Sequence, residues 1–146
     1  MKKSLLVLLV VFSLGQSISE GSLDYISITP SQPTASDLIE LFAGGETPTN
    51  YAGLDSTNFS AVGNDLTWDI YYSLGMFQVI DNWDTSDIIG ILAPGSYDLT
   101  VRVYVKGPAD AFHTLDDVGY ESFNVTPEPA TLVLMALGGL LIRKRN

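Results

Sequence analysis

Tyr97-Asp98-Leu99-Thr100-Val101-Arg102-Val103-Tyr104-Val105 decides the fold class. Tyr97, Leu99, Val101, Val103 and Val105 fall on one side of an extended chain, and Asp98, Thr100, Arg102 and Tyr104 on the other. That is the period of a strand with one face buried. Lys106-Gly107-Pro108 ends it, and Ala93-Pro94-Gly95 forms a turn before it. Downstream, Ala109 to Gly119 reads as a loop and Glu121 to Val125 as a last strand. Upstream, Ile88–Leu92 and Phe77–Ile80 read as short strands. Asn58–Val62 and Leu66–Tyr72 flank Gly63-Asn64, the two-residue loop of a hairpin with a primed turn. Within the second arm Leu66, Trp68, Ile70 and Tyr72 share one face, while Thr67, Asp69 and Tyr71 share the other. Glu46 to Asp55 reads as a loop, and the segment before it as a strand with Ile39 and Leu41 facing in. Tyr25–Thr29 alternates and stops at Pro30, as an edge strand does.

Seven to eight short strands separated by turns predict an all-β, single antiparallel β-sandwich. Trp68 is the expected inward aromatic. Leu92-Ala93-Pro94-Gly95-Ser96-Tyr97 is similar to the approach to a tyrosine corner, with the Tyr97 hydroxyl reaching back to upstream backbone. On those residues the stretch Tyr25 to Thr126 resembles bacterial immunoglobulin-like or fibronectin-III-like modules.

Two further segments flank this domain. Met1-Lys2-Lys3, the apolar run Leu5–Leu14 and the small residues Gly15, Ser17 and Ser19 have the pattern of a secretory signal peptide. Cleavage is expected after Ser17 or Ser19. At the other end Pro127-Glu128-Pro129 precedes an uncharged run, Ala130 to Ile142, and the cluster Arg143-Lys144-Arg145. As a helix that run covers roughly 20 Å, short of the roughly 30 Å hydrocarbon core. Gly138-Gly139 weakens it further, and the basic cluster is a cytoplasmic-side stop signal. Such a tail suits temporary anchoring. The chain is thus divided into a signal segment (1–19, a signal helix), the sandwich (20–126) and a tail (127–146, a hydrophobic helix).

The tail resembles the PEP-CTERM sorting signal of bacteria. The resemblance implies that Pro127, Glu128 and Pro129 are the recognised motif and that exosortase, a membrane-embedded cysteine protease or transpeptidase, processes the chain there. It also implies a bacterium that makes exopolysaccharide or biofilm matrix. Signal peptidase and exosortase are the expected processing partners. Anchoring in the inner membrane would be transient, followed by release to the cell surface or outside.

Removing both ends leaves about 105 residues, enough for one domain with a modest core. The whole chain has a formal net charge of −10, and Arg102 and Lys106 are the basic residues left between the ends. So acidic a domain is not expected to bind nucleic acid or anionic membrane, both of which call for cationic patches. The chain has no cysteine, which excludes disulfides, thiolate metal sites and a cysteine nucleophile.

Candidate chemistry is sparse. His113 is the one histidine, in an expected loop with Asp110, Asp116 and Asp117 nearby in sequence. Catalysis requires a partner in reach of such a base, and spacing alone supplies none. Asp81, Asn82, Asp84 and Asp87 fall in one dense run of oxygen ligands, read as a loop that offers calcium a site. It lacks the glycine and closing glutamate of an EF-hand loop, and solvated acidic turns compete with that reading. Trp83 is the candidate stacking platform for a sugar, against a role as a partly buried anchor; Tyr51, Phe112 and Tyr120 are further aromatics in or beside loops. The sequence therefore points to a non-enzymatic structural or adhesive protein of the cell surface or extracellular matrix, partnered by exopolysaccharide or matrix proteins. A carbohydrate-binding module for exopolysaccharide is the alternative, and a small secreted hydrolase the third reading.

Overall fold

The computed structural model describes residues 23–47, 50–128 and 133–135. It contains seven strands: β1 (Tyr25–Thr29), β2 (Ile39–Thr47), β3 (Tyr51–Val62), β4 (Asp65–Leu74), β5 (Asp81–Gly90), β6 (Gly95–Lys106) and β7 (Thr114–Val125). They form a three-stranded sheet in the order β1-β2-β5 and a four-stranded sheet in the order β3-β4-β6-β7. The expected all-β sandwich of two sheets is present.

The alternation in the sequence fixes what lies between the sheets. Tyr97, Leu99, Val101, Val103 and Val105 of β6 are buried, as are Leu66, Trp68, Ile70, Tyr72 and Leu74 of β4. Ile39, Leu41 and Ala43 of β2 meet them from the opposite sheet, and Phe123 and Val125 of β7 close the core. The hairpin of β3 and β4 turns at Gly63-Asn64, with Val62 opposite Asp65. Gly63 has φ 63°, the left-handed value that the first position of a type II′ turn demands and that glycine reaches without steric cost. The Tyr97 hydroxyl donates to the Ala93 carbonyl at 2.9 Å, closing the expected tyrosine corner. The Tyr97 ring also stacks on Phe123, centroids 5.6 Å apart.

One pairing departs from the expected antiparallel sandwich. β4 and β6 run parallel, from Asp65 beside Asp98 to Ser73 beside Lys106. The cause is the path between them. The chain leaves β4, reverses into β5 in the other sheet, and reverses again into β6. Two reversals restore the original direction. An immunoglobulin-type sandwich has antiparallel sheets throughout, so the likeness to those modules extends to the two layers and the tyrosine corner, not to this connection.

Three local expectations also change. Phe77–Ile80 is an irregular exposed loop rather than a strand. β7 begins at Thr114, inside the expected loop Ala109–Gly119. β2 and β3 run into the expected Glu46–Asp55 loop from either side, to Thr47 and from Tyr51. The signal segment lies outside the described residues, as does the sorting tail from residue 129 onward apart from a short exposed helical turn at residues 133–135. Among the described residues no helix is long and apolar enough to cross a membrane.

Candidate functional site

The parallel register of β4 and β6 has a chemical consequence on the outer face of the four-stranded sheet. Residues at matching positions stand side by side: Asp69 with Arg102, Tyr71 with Tyr104, and Ser73 with Lys106. Asp69 is buried, and Arg102 meets it with a two-point grip, Nε to Oδ1 at 2.6 Å and Nη2 to Oδ2 at 2.8 Å. The Arg102 guanidinium also lies 5.9 Å from the Tyr104 ring centroid, a cation–π distance. Asp69 in turn holds the guanidinium in its charged form, raising its pKa. Tyr104 stacks on Tyr71 with centroids 4.7 Å apart and planes 13° from parallel. His113 meets Tyr71 edge-on at 5.4 Å. Burial pushes the Tyr71 hydroxyl pKa up, and the Asp69 charge adds to it.

Asp55 ties this row to the loop before β7. The register between β3 and β4 shifts between Leu54 and Ser56, which leaves Asp55 as the extra residue of a bulge. Such a bulge re-aims the side chain it carries. The Asp55 Oδ2 accepts a hydrogen bond from Ser73 Oγ at 2.6 Å and lies 2.7 Å from His113 Nε2. Lys106 Nζ stands farther off, at 3.9 Å. The Ser73 hydrogen bond, then His113, then the Lys106 charge hold the Asp55 carboxyl below its ordinary value.

This arrangement brings serine, histidine and aspartate together in the wrong order for nucleophilic catalysis. A catalytic relay places histidine between the hydroxyl and the carboxylate. Here the carboxylate sits in the middle, and the Ser73 hydroxyl donates its hydrogen bond to Asp55. Two of the acids near His113 in sequence, Asp110 and Asp117, are engaged elsewhere. Asp110 Oδ2 accepts from the Gly107 amide at 3.0 Å, and Asp117 Oδ2 accepts from the Leu23 amide at 2.9 Å.

Two readings of the segment Asp81–Asp87 are overturned. It is a strand, not a loop, held in place by pairing with β2 from Thr47–Asp81 to Leu41–Asp87. At about 3.3 Å per residue Asp81 and Asp87 stand roughly 20 Å apart, too far to share an ion whose ligands sit at about 2.3–2.6 Å. Alternation turns Asn82 and Asp84 outward to solvent. Asp81 accepts the Tyr51 amide at 3.1 Å, and Asp87 accepts the Thr57 hydroxyl at 3.0 Å. Asp81, Asn82, Asp84 and Asp87 therefore do not form a calcium site, and among the described residues no group of three or more acidic or histidine side chains gathers to hold a metal. Trp83, the candidate sugar platform set against a partly buried anchor, is only 2% exposed. It points inward and stacks on Tyr72 at 5.4 Å. The same alternation that exposes Asn82 and Asp84 buries it.

Asp55, Ser73, Tyr71, Tyr104 and the Asp69–Arg102 pair were not among the residues the sequence singled out. The outward position of Asp69, Tyr71, Arg102 and Tyr104 on their strands was legible; the adjacency of the two strands was not. A separate groove of about 750 Å³ opens between the edge strands β1 and β7, with Ile28, Gln32 and Phe123 in its lining.

The last structural element bearing on function is the exit of the chain. Val125 is buried. Thr126 forms a parallel bridge with Thr34, donates its amide to the Pro33 carbonyl at 2.9 Å and accepts the Ala35 amide at 2.9 Å. Pro127 follows at once. No match was found among curated proteins or solved structures. The family profile described as the PEP-CTERM protein-sorting motif matches residues 125–145. The chain thus carries a PEP-CTERM protein-sorting motif at its C-terminal end, and that motif implies an exported protein that exosortase processes on its way to the cell envelope or surface.

Proposed function

We propose that the sorted domain is a non-enzymatic structural or adhesive module of the cell surface or extracellular matrix, and that its contact surface is the end opposite the sorting tail. The observation behind this is an exposed apolar tip. Met76, Phe77, Val79 and Ile80, between β4 and β5, are exposed, and so is Phe112 between β6 and β7. The first loop has a held shape: Asn50 donates its amide to the Phe77 carbonyl at 2.9 Å and accepts the Phe77 amide on its side chain at 2.9 Å. Contiguous exposed apolar surface of this kind marks interaction sites. The mutual stacking of Tyr71 and Tyr104 takes up one face of each ring, with Arg102 and His113 beside them, which favours apolar protein contact over sugar stacking. The position of Asp55 between Ser73 and His113 supports a structural rather than a hydrolytic role for that cluster.

The test is fractionation of cells expressing the full chain, with intact mass and terminal peptides read from membrane, periplasm, matrix and medium. The expected product starts near Ser19, lacks residues 132–146 and is retained in the matrix. Replacing Phe77, Ile80 and Phe112 together by serine should leave processing unchanged and shift the product to the medium. Retention equal to the unaltered chain would refute the adhesive tip. Retention lost instead on Tyr120→Ala would favour exopolysaccharide as the ligand, since Tyr120 is an exposed aromatic on the outer face of β7.

A further inference from the structure

We infer that the end of the sandwich from which the tail leaves is a membrane-seating surface. This rests on the reading of the tail as a temporary membrane anchor. Among the described residues Thr126 is the last one bonded into the domain, through Pro33 and Ala35. The segment that holds it is itself held: Asp37 Oδ2 accepts the Thr34 amide at 2.7 Å and the Thr34 hydroxyl at 2.8 Å. Only Pro127, Glu128 and Pro129 separate this clamp from the uncharged run that starts at Ala130. Fully extended, three residues span about 10 Å, and two of the three are prolines. The headgroup layer on one side of a bilayer takes up roughly 5–8 Å. While the tail is in the bilayer, the clamped end of the domain stands at headgroup level.

The side chains there fit that position. Leu38, Val62, Ile88 and Ile91 are 63%, 79%, 61% and 59% exposed. The register places all four at the tail's end of the sandwich. Leu38 directly precedes Ile39, which pairs with Gly90; Ile88 pairs with Glu40; Ile91 follows Gly90. Val62 closes the β3–β4 hairpin opposite Asp65. Asp65 lies beside Asp98, three residues from Gly95, which pairs with Val125. Aliphatic side chains on two connections (Leu38, Ile91) and at the ends of β3 and β5 (Val62, Ile88) thus lie at the end of the sandwich from which the chain exits. The domain's basic residues are not part of this group: Lys106 lies at the far end of β6, and Arg102 is committed to Asp69. The contact is therefore apolar, with the acyl–headgroup boundary as its partner, and does not depend on anionic lipid. A tether of three residues adds a high effective concentration, so a weak patch suffices.

The chain has no cysteine, so a single introduced thiol labels cleanly. Val62→Cys and, as the far-end reference, Phe77→Cys carry an environment-sensitive fluorophore in the chain without its signal segment (residues 20–146), reconstituted into phosphatidylcholine vesicles containing a shallow doxyl-lipid quencher. Flotation of the vesicles reports tail anchoring independently. The expected result is a floating chain whose Val62→Cys label is blue-shifted and quenched several-fold more than the Phe77→Cys label. Adding Leu38→Ser and Ile91→Ser should relieve most of that quenching while flotation persists. A chain that fails to float removes the anchoring reading and the seating surface with it. A floating chain with equal, unquenched labels overturns the seating surface alone. A blue shift without lipid quenching means a second protein copy covers the patch, and quenching that survives the serine pair means that tethering alone brings the end near; each overturns the inference.

Discussion

Trp83→Ala separates the two roles that sequence allows this tryptophan. An exposed sugar platform can be truncated at little cost to stability. The side chain in the structure is 2% exposed and stacked on Tyr72. Removing such a core aromatic costs about 3–5 kcal/mol, and the lost aromatic pair accounts for about 0.5–1.5 kcal/mol of it. With a urea slope of about 1–3 kcal/mol/M the unfolding midpoint should fall by about 2 M. Trp83→Phe should behave differently. It keeps a ring against Tyr72 and deletes an indole N–H that is buried without an acceptor among the described residues. An unsatisfied buried donor costs about 1–3 kcal/mol, which offsets much of the lost volume, so this variant should stay within about 1 kcal/mol of the parent. The assay is urea unfolding followed by fluorescence. Trp68, the other tryptophan, is fully buried and remains as the reporter in both variants. If Trp83→Ala stays within about 1 kcal/mol of the parent, the inward placement is wrong and the sugar platform returns.

Three other outcomes are expected. Arg102→Met should lower the unfolding temperature more than Asp69→Asn, because it strands a buried carboxylate, whereas an amide still accepts a hydrogen bond from the arginine; Arg102→Met combined with Asp69→Leu should recover most of the loss. The depressed pKa of Asp55 makes its stabilising contribution complete above the unfolded value of 3.8 and progressively lost as pH falls through the lower folded value. Urea midpoints measured against pH should therefore drop less steeply below about pH 4 in Asp55→Asn than in the parent. Tyr97→Phe removes the 2.9 Å hydrogen bond to Ala93 but keeps the stack on Phe123, so it should cost about 1 kcal/mol in the same assay.

What the sequence made legible was local. The strands β4 and β6 announced themselves because their buried positions are apolar at every second residue. β5 did not, because Asp81, Asn82, Asp84, Ser86 and Asp87 have poor strand propensity. Its only large inward residue at that end is Trp83, and pairing with β2 overrides the local preference. Phe77–Ile80 misled in the opposite sense. Apolar composition without alternation looked like a short strand, yet Asn50 captures its backbone and the side chains face solvent. The Asp55–His113 contact spans 58 residues of chain. It depends on a bulge and on the connection through β5, neither of which leaves a periodic trace.

The sorting profile and the fold overlap, and the overlap decides how the two ends of the motif can be interpreted. The profile begins at Val125, which is 3% exposed and packs in the core. Thr126, next, closes the clamp on Pro33 and Ala35. These two positions are therefore constrained by the sandwich whatever an enzyme reads there. A polar replacement at Val125 buries an unpaired group in the core and acts on folding before it acts on recognition. From Pro127 onward no backbone bond ties the described chain to the domain, and proline at that point ends the ladder of β7 because it offers no amide hydrogen. Among the described residues, what the domain requires thus ends at the Thr126–Pro127 bond, and a recognition defect is cleanly assigned only to substitutions beyond it.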